Sequence, residues 1–388
     1  MRFSMRSFLK NVLAMAIGIG ITLLALEGVL RTTHLLDAHT GYSEPHPLYG
    51  WKLAAGRDYW AELEGGHAEG VINSYGWRDR EWQKEKGDGV YRVAIVGDSF
   101  VEALQVEEEE TFTRMAEQLL NDEGQKVELM NFGRSGATTT EEFLFIREEV
   151  MDFKPDLVVV VFFPYNDIRD MDPDLTHDNI RPFATFDANG NLSIDTSFTE
   201  TRSYALKSAI NPMKQSSAFV SLMATQYNQL KGAFSKKAKS GDVSSQEELL
   251  VKKGFLSLAT DSPVPDFERA YALNKRMLLE IKMLVEKGGA KFMLMNLPFA
   301  TLKPEIEEDY KRVDDTFDRT YFDKDLGKFA QEEGIDFLPL EDSFRDFWQA
   351  NDLDILPGHF NPTGHQLAGK LLAEAIKSVK VRSTVEDR

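Results

Sequence analysis

Ser99 ends a short apolar run in the sequence Arg92-Val-Ala-Ile-Val-Gly-Asp-Ser-Phe100. The run is rich in β-branched residues, which predicts a buried strand, and a helical pattern follows it. A serine between a parallel strand and a helix can project its hydroxyl into the crevice where α/β folds bind ligands. Backbone N–H groups at the start of that helix could also stabilise an oxyanion. Ser99 is therefore a candidate nucleophile, and helix capping is the ordinary alternative for this residue.

Three more candidate residues lie next to predicted strand ends or a helix start. Gly133 follows the second predicted strand, where the lack of a side chain lets its N–H approach a ligand closely. Asn166 follows the third strand and could donate a side-chain hydrogen bond in the same crevice. His359 stands just before Asn361-Pro362, a pair typical of an N-cap and first helical residue, so its imidazole can face the crevice.

These four residue types are the parts of a serine-based acyl transfer. A serine hydroxyl becomes a nucleophile when a neighbouring base removes its proton, and histidine does this near neutral pH. The oxyanion that develops on the substrate needs fixed donors, each worth roughly 3 kcal/mol in known cases. The N–H groups of Ser99 and Gly133 and the amide of Asn166 would supply them.

The set Gly97-Asp98-Ser99-Phe100, Gly133, Asn166-Asp167 and His359, in this order, resembles the four blocks of the SGNH/GDSL hydrolase superfamily. The resemblance spans residues 90–167 and 335–380. It implies a flavodoxin-like three-layer α/β/α sandwich with a central parallel sheet of about five strands. It also implies an esterase in which Ser99 is the nucleophile, His359 the base, and Gly133 and Asn166 oxyanion donors. Asn73-Ser-Tyr-Gly-Trp-Arg78 is similar to a lead-in segment of membrane-anchored bacterial members.

One departure concerns the acid that orients the histidine. The superfamily usually places an aspartate three residues before the histidine, or two in some branches, and here Leu356 and Pro357 stand at those positions. We expect Asp354 to be the acid, delivered by a bulge at Pro357-Gly358, with Asp342 or a backbone carbonyl as alternatives. Loss of a triad aspartate can cost about 10⁴ in rate. A catalytically inactive carbohydrate- or partner-binding module therefore stays open as an alternative function.

The leading prediction is a serine-dependent hydrolase of small acyl esters or O-acylated polysaccharide. An O-acyltransferase acting on cell-surface polysaccharide is the close alternative, because a sugar hydroxyl can intercept the same acyl-serine. No cofactor and no metal are expected, since the histidines lack the spacing of metal ligands and the chain has no cysteine. The net charge of −18 argues against nucleic acid as a partner. His365 and Asp98 are predicted to be structural.

The N-terminus predicts a membrane segment. Arg2, Arg6 and Lys10 precede the apolar run Val12–Leu26, which reaches spanning length at Leu30 if Glu27 lies near the interface. The basic flank predicts a cytoplasmic N-terminus and a periplasmic or extracellular remainder. A cleaved signal peptide is the rival, although no convincing cleavage site follows the run.

Strand and helix patterns alternate along the rest of the chain, which predicts a parallel sheet covered on both faces. We expect an anchor at residues 1–30, a lead-in segment at 31–90, and a hydrolase-like domain at 91–388. The domain carries an insertion at about 168–265 that is well placed to cover the active site. The insertion includes a helix pattern at Pro212–Phe234 whose apolar stripe favours core packing, and a linker at Lys236–Gly241. The predicted strands are Val93–Val96, Val127–Phe132, Leu157–Phe163, Phe292–Leu297 and Ile335–Leu338, and the main helices are Glu107–Asn121, Glu141–Phe153, Phe267–Lys287, Thr316–Glu332 and Pro362–Val379.

Overall fold

The computed structural model describes residues 5–33, 42–224, 226–227, 246–298 and 303–386. Its strands are β1 (Ser43–His46), β2 (Gly50–Leu53), β3 (Asp58–Leu63), β4 (Gly66–Val71), β5 (Tyr91–Gly97), β6 (Val127–Gly133), β7 (Leu157–Phe162), β8 (Phe183–Phe186), β9 (Leu192–Asp195), β10 (Lys291–Asn296) and β11 (Asp336–Pro339).

Helices lie between these strands and at both ends of the described chain. They are α1 (Met5–Thr33), α2 (Ser99–Glu102), α3 (Phe112–Asp122), α4 (Thr139–Glu148), α5 (Asn166–Arg169), α6 (Arg202–Ser216), α7 (218–224), α8 (Gln246–Val251), α9 (Pro265–Lys287), α10 (Pro304–Val313), α11 (Tyr321–Glu333), α12 (Glu341–Asn351) and α13 (Pro362–Glu386). Short 3₁₀ turns occur at Glu108–Glu110, Val150–Phe153, Ser197–Glu200 and Phe255–Ala259.

Five of the strands form a central parallel sheet in the order β6-β5-β7-β10-β11. Numbered along the chain, that order is 2-1-3-4-5, the flavodoxin-like arrangement of doubly wound folds. The three-layer fold that the sequence implies is therefore confirmed. The chain leaves β5 for a neighbour on one side and returns to β7 on the other, so the carboxyl end of β5 lies at the topological switch point.

The sheet is buried on both faces, which explains the near-continuous apolar runs of its strands. In β5, Ala94 and Val96 pack into one apolar cluster with α4, α9 and α11. Val93 and Ile95 point the other way, into a second cluster with α3, α12 and α13. This double coverage fixes the strand ends, and with them the loops that carry the site.

The lead-in segment is more regular than its sequence suggests. It contains two antiparallel hairpins, β1-β2 and β3-β4, of four to six residues per strand. Ala61 and Ala68 face each other across β3-β4 with no solvent exposure, in a small apolar cluster with Leu104 from the loop after α2. Trp77 and Trp82 enter the first cluster of the main core. The lead-in is thus packed directly against the sheet domain.

The insertion differs from its prediction in one helix. Instead of one helix from Pro212, α6 begins at Arg202, contains Pro212 in its interior, and ends before Ser217, after which α7 follows. The expected core packing does not hold for Met223 and Tyr227, which are 54% and 66% exposed. The predicted linker at Lys236–Gly241 lies outside the described residues.

One helix in the described residues is long and apolar enough to cross a membrane. Its apolar stretch, Phe8–Thr33, has a mean hydropathy of 2.2, and none of its most apolar window is buried. Length and composition of this kind fit either a membrane anchor or a signal sequence.

Candidate active site

Ser99 lies where the sequence analysis placed it, at the first position of α2 and directly after β5. Asp98 caps this short helix, because its Oδ1 accepts a hydrogen bond from the Phe100 N–H at 2.9 Å. The other oxygen of Asp98 accepts from the Asn166 amide at 2.8 Å. Burial raises the pKa of the Asp98 carboxyl, while these two donors oppose that shift. Asp98 braces the turn that presents Ser99.

His359 contacts Ser99 although the two residues are far apart in the sequence. Its Nε2 lies 2.8 Å from Ser99 Oγ, and the two residues are 260 positions apart in sequence. The imidazole packs on the Phe100 ring, with 4.7 Å between centroids. Asn361 caps α13 as predicted, accepting from the Gly364 N–H at 3.0 Å, and the buried Phe360 holds the loop against the core. The pre-helix loop therefore aims the imidazole at the end of β5.

The carboxylate that contacts the His359 ring is that of Glu64. Its two oxygens lie 3.1 and 3.2 Å from His359 Nδ1, and one of them accepts the His359 backbone N–H at 2.9 Å. A carboxylate at Nδ1 holds the proton on that nitrogen and leaves the Nε2 lone pair free to accept from a hydroxyl. Ser99, His359 and Glu64 thus form a continuous series in the geometry of a catalytic triad.

Glu64 reaches the histidine from the tip of a hairpin. Glu64 and Gly65 form the two-residue turn between β3 and β4, with φ angles of +54° and +82°. Positive φ at both positions is the geometry of a type I′ turn, which suits the twist of a hairpin. A glutamate in this left-handed region is uncommon and carries a conformational cost.

The close approach also depends on Gly358. A Cβ built at Gly358 would lie 2.5 Å from Glu64 Oε1, so a side chain there would push the carboxylate away. Gly358 has a φ of +124°, a conformation that residues with a side chain rarely adopt. The absence of a side chain at Gly358 therefore lets the Glu64 carboxylate reach the His359 imidazole.

Asp354, the acid expected from the sequence, lies elsewhere. Its carboxylate accepts from the Leu356 N–H at 3.1 Å and pairs with Lys303 Nζ at 3.1 Å. Its backbone carbonyl accepts from the Asn361 side chain at 2.9 Å. These contacts make Asp354 an organiser of the loop before α13. Asp342, the second alternative, is exposed and pairs with Arg345 at 2.8 Å.

The three expected oxyanion donors do not come together as predicted. The Gly133 N–H donates to Asn131 Oδ1 at 2.9 Å, inside the core. Gly133 is instead a close-packing residue, because a Cβ there would lie 2.2 Å from the Glu102 nitrogen in α2. The Asn166 amide donates to both Asp98 Oδ2 and the Ala137 carbonyl, the latter at 3.2 Å. Of the three, the Ser99 N–H stands at a helix start, where no intrahelical acceptor exists.

Two further acids are buried behind Asp98. Asp167 and Glu142 are both fully buried, and neither Glu142 oxygen has a hydrogen-bond partner in the part of the chain that is described. Burial raises the pKa of both carboxyls well above the ordinary range, and the negative charges of the neighbouring acids add to the shift. Both carboxyls therefore favour the neutral form more strongly than an exposed acid does.

The lead-in motif at residues 73–78 holds the far end of α2. Asn73 Oδ1 accepts from the N–H groups of Tyr75 and Trp77 at 3.0 Å each, which fixes a turn. The buried Arg78 guanidinium then donates to the carbonyls of Glu102, Ala103 and Val106 at 2.7 to 2.8 Å. The Arg78 guanidinium also lies 5.0 Å from the centre of the Tyr59 ring on β3, so one residue joins the β3-β4 hairpin to α2.

His365 takes the structural role predicted for it. It is buried on α13, stacks on Phe112 at 5.9 Å, and its Nδ1 accepts the Phe112 N–H at 3.1 Å. Burial lowers the pKa of its imidazole to about 3, so the ring is neutral. The histidine at the crevice is His359.

No protein-family model matches the chain, and no curated protein matches it. Among solved structures, an acetyl xylan esterase is 15% identical with a TM-score of 0.38, over 74% of this chain and 99% of that one. A lipase/acylhydrolase from Enterococcus faecalis is 15% identical with a TM-score of 0.37, over 74% and 95% of the two chains. A Desulfitobacterium hafniense protein assigned to the lipolytic G-D-S-L family is 12% identical with a TM-score of 0.35, over 74% and 99%. These three structures are thus described as an esterase, an acylhydrolase and a lipolytic protein.

Proposed function

We propose that this protein hydrolyses O-acyl esters through an acyl intermediate on Ser99. The observation that carries the proposal is the series of contacts from Ser99 Oγ to His359 Nε2 at 2.8 Å and from His359 Nδ1 to Glu64 at 3.1 Å. Nucleophile, base and orienting acid are recognised by such geometry rather than by their order in a sequence. Here they come from a strand end, a pre-helix loop and a hairpin tip.

The first half-reaction acylates the serine. Ser99 Oγ attacks the ester carbonyl carbon while its proton passes to His359 Nε2, and Glu64 stabilises the imidazolium that forms. The tetrahedral intermediate then expels the alcohol, whose oxygen takes the proton from His359 Nε2. The acyl group remains on Ser99 as an ester.

The second half-reaction returns the enzyme to its starting state. A water molecule gives its proton to His359 Nε2 and attacks the acyl-Ser99 carbonyl carbon. The intermediate collapses, the carboxylic acid leaves, and Ser99 Oγ recovers its proton from His359. Water can reach the site, because the His359 and Glu64 side chains keep 26% and 34% of their surface exposed.

Two backbone N–H groups are proposed to hold the oxyanion. The first is that of Ser99 itself, at the start of α2. The second is that of Gly136, which has a φ of +72° and open space at its Cβ position. The residues on either side of Gly136 are tied to the surroundings of Ser99: the Ser135 N–H donates to Glu102, and the Ala137 carbonyl accepts from Asn166.

This geometry weakens the argument for an inactive binding module. That alternative rested on the lack of an acid next to the histidine in sequence. Glu64 contacts the His359 ring although it lies 295 residues away in sequence.

We also propose that α1 is an uncleaved anchor with the catalytic domain on the periplasmic or extracellular side. The end of α1 packs against the fold, because Leu30 is only 5% exposed.

The test is ester turnover by the purified full chain in detergent. Wild type should hydrolyse short activated acyl esters, and a fluorophosphonate probe should label Ser99. Ser99→Ala should abolish both signals and keep the same thermal unfolding midpoint, whereas Ser193→Ala, on the exposed face of β9, should keep both. A wild-type chain that neither turns over any ester nor takes the probe would make the binding module the better explanation.

A further inference from the structure

The outer end of α1 is bonded to the insertion. The Glu27 carboxylate accepts hydrogen bonds from Ser217 Oγ at 2.9 Å and from the N–H groups of Ala218 and Phe219 at 2.8 and 3.0 Å. Glu27 therefore caps α7 together with Ser217, whose Oγ accepts from the Val220 N–H at 3.3 Å. Arg31, one turn further along α1, donates to the Ser216 carbonyl at 2.7 Å. The junction of α6 and α7 is fixed to the anchor helix.

The position of Glu27 on α1 determines the depth of this junction. The twenty residues from Phe8 to Glu27 rise about 30 Å as a helix, which matches the hydrocarbon thickness of a bilayer. With the apolar part of α1 in the membrane, Glu27 lies at the boundary between hydrocarbon and headgroups. Ser217, Ala218 and Phe219 touch Glu27, so they lie at the same boundary.

The helices on both sides of the junction expose large apolar side chains. Leu206 and Met213, seven residues apart on α6, are 61% and 56% exposed. Met223 on α7 is 54% exposed, and Tyr227 beyond it is 66% exposed. In water these side chains leave their apolar surface hydrated, whereas a helix lying in a membrane interface buries that surface.

The charge of the same segment is opposite to that of the whole chain. Residues 201–227 contain Arg202, Lys207 and Lys214 and no aspartate or glutamate, although the chain carries a net charge of −18. Exposed apolar residues combined with basic ones are characteristic of interfacial helices on anionic lipid. Arg202 and Lys207 are exposed and can therefore attract anionic headgroups, whereas Lys214 is half-buried.

We propose that α6 and α7 lie on the membrane that α1 spans, as an interfacial element bound to anionic lipid. The element is rigidly joined to the rest of the domain, because Arg57, which immediately precedes β3, donates to the Gln215 carbonyl at 3.2 Å. Gln215 in turn donates to Glu44 on β1 at 3.4 Å. The lead-in that carries Glu64 is thereby held at a fixed height above the bilayer.

The absence of cysteine from the chain allows a direct test with single-cysteine variants of the full-length protein in lipid nanodiscs. Met213→Cys and Met223→Cys each receive an environment-sensitive fluorophore, and Met283→Cys is the control because Met283 is also 54% exposed, on α9. Spin-labelled phospholipids are then used as quenchers. In phosphatidylglycerol discs we expect at least twofold quenching at positions 213 and 223 and little at 283.

The outcome is decided by comparing the three positions. Equal quenching at 213, 223 and 283 would overturn the proposal, and a weaker effect in phosphatidylcholine discs would support the role of anionic lipid. Because all three side chains are exposed, the substitutions should leave the fold intact, which the unfolding midpoint checks. The readout involves no ester turnover, so failure here and failure of the proposed hydrolase activity are separate results.

Discussion

The site is assembled from two regions that are built in different ways. Ser99 and His359 stand on a strand end and a pre-helix loop whose neighbours, Phe100 and Phe360, are almost fully buried. Glu64 stands on the tip of an exposed two-residue turn, and its side chain reaches the histidine through a gap at Gly358. Ser99 and His359 are thus positioned by the core of the fold, whereas Glu64 is positioned by one small hairpin. The two regions should respond to substitution very differently.

Removing the base should give the largest effect. We expect His359→Ala to reduce kcat/KM by a factor of about 10⁴ or more, because Ser99 then has no proton acceptor. His365→Ala should lower the unfolding midpoint instead, since that ring fills a buried site between Phe112 and Phe360. Steady-state kinetics on a short acyl ester and thermal unfolding separate the two. Similar kinetic losses in both variants at equal stability would mean that the base has been misassigned.

Removing the charge of the acid should give the next largest effect. Glu64→Gln places an amide at His359 Nδ1, where it can favour the wrong tautomer, and an analogous change in a known triad costs about 10⁴ in kcat. We expect a loss of roughly 10² to 10⁴ in kcat with little change in stability. Glu62→Gln, on the exposed side of β3, and Asp354→Asn are the matched controls and should keep most of the activity. A large loss in Asp354→Asn and none in Glu64→Gln would return the acid to the loop before α13.

A smaller loss of kcat is expected when a side chain is added at Gly358, where the Glu64 carboxylate approaches His359. Gly358→Ala puts a methyl group 2.5 Å from Glu64 Oε1, and the flexible carboxylate can yield by moving away. A displacement of about 1 Å can cost up to about 100-fold in rate, so we expect a 10- to 100-fold loss of kcat. Gly124→Ala controls for backbone strain, because Gly124 has a φ of +80° and no neighbour at its Cβ position. Equal kinetics in the two variants would show that the approach of Glu64 does not limit the reaction.

The smallest effect on the site is expected from Glu142, a buried acid near Asp98, and it concerns the pH dependence of stability. Burial raises the pKa of Glu142 in the folded protein, whereas in the unfolded chain the group ionises near 4.3. The folded state is therefore favoured fully below that pH and loses stability as pH rises toward the raised folded pKa. Glu142→Gln carries no such penalty, so its free energy of unfolding should rise relative to that of wild type from pH 5 to pH 8, by at most about 1.4 kcal/mol per pH unit.

Glu148→Gln, at a site 41% exposed on the same helix, is the control and should show no pH-dependent difference from wild type. A constant offset between Glu142→Gln and wild type across this range would mean that Glu142 is ionised in the folded protein.

The sheet domain was predictable because its pattern is local. Each central strand is an apolar run that is buried on both faces, and the predicted runs agree with β5, β6, β7, β10 and β11 to within two residues at each end. Ser99 and His359 follow from such patterns, since a strand end and an Asn-Pro helix start are visible in a few neighbouring residues. The Asn166 side chain also lies beside the turn, although it is bonded to Asp98.

The lead-in was not predictable in the same way. Its strands have four to six residues, and the turn Glu64-Gly65 lacks the Asn-Gly or Asp-Gly pair that best predicts a hairpin. Nothing in a single sequence connects Glu64 with a histidine 295 residues later, because the contact depends on how the hairpin docks on the loop after α2. The placement of the Gly133 N–H differs from the expected one for a related reason. A glycine that ends a strand can expose its N–H or admit a neighbouring backbone, and only the packing of α2 distinguishes the two.

The wide separation of Glu64, Ser99 and His359 in the sequence also sets the times at which the ribosome adds them to the chain. Ribosomes add about 5 to 20 residues per second, so His359 is made roughly 15 to 50 seconds after Ser99, which precedes it by 260 positions. Throughout that interval the growing chain already carries its serine and acid but has no base to activate the hydroxyl. The contact between Ser99 Oγ and His359 Nε2 therefore forms only after His359 has been made and the loop before α13 has docked.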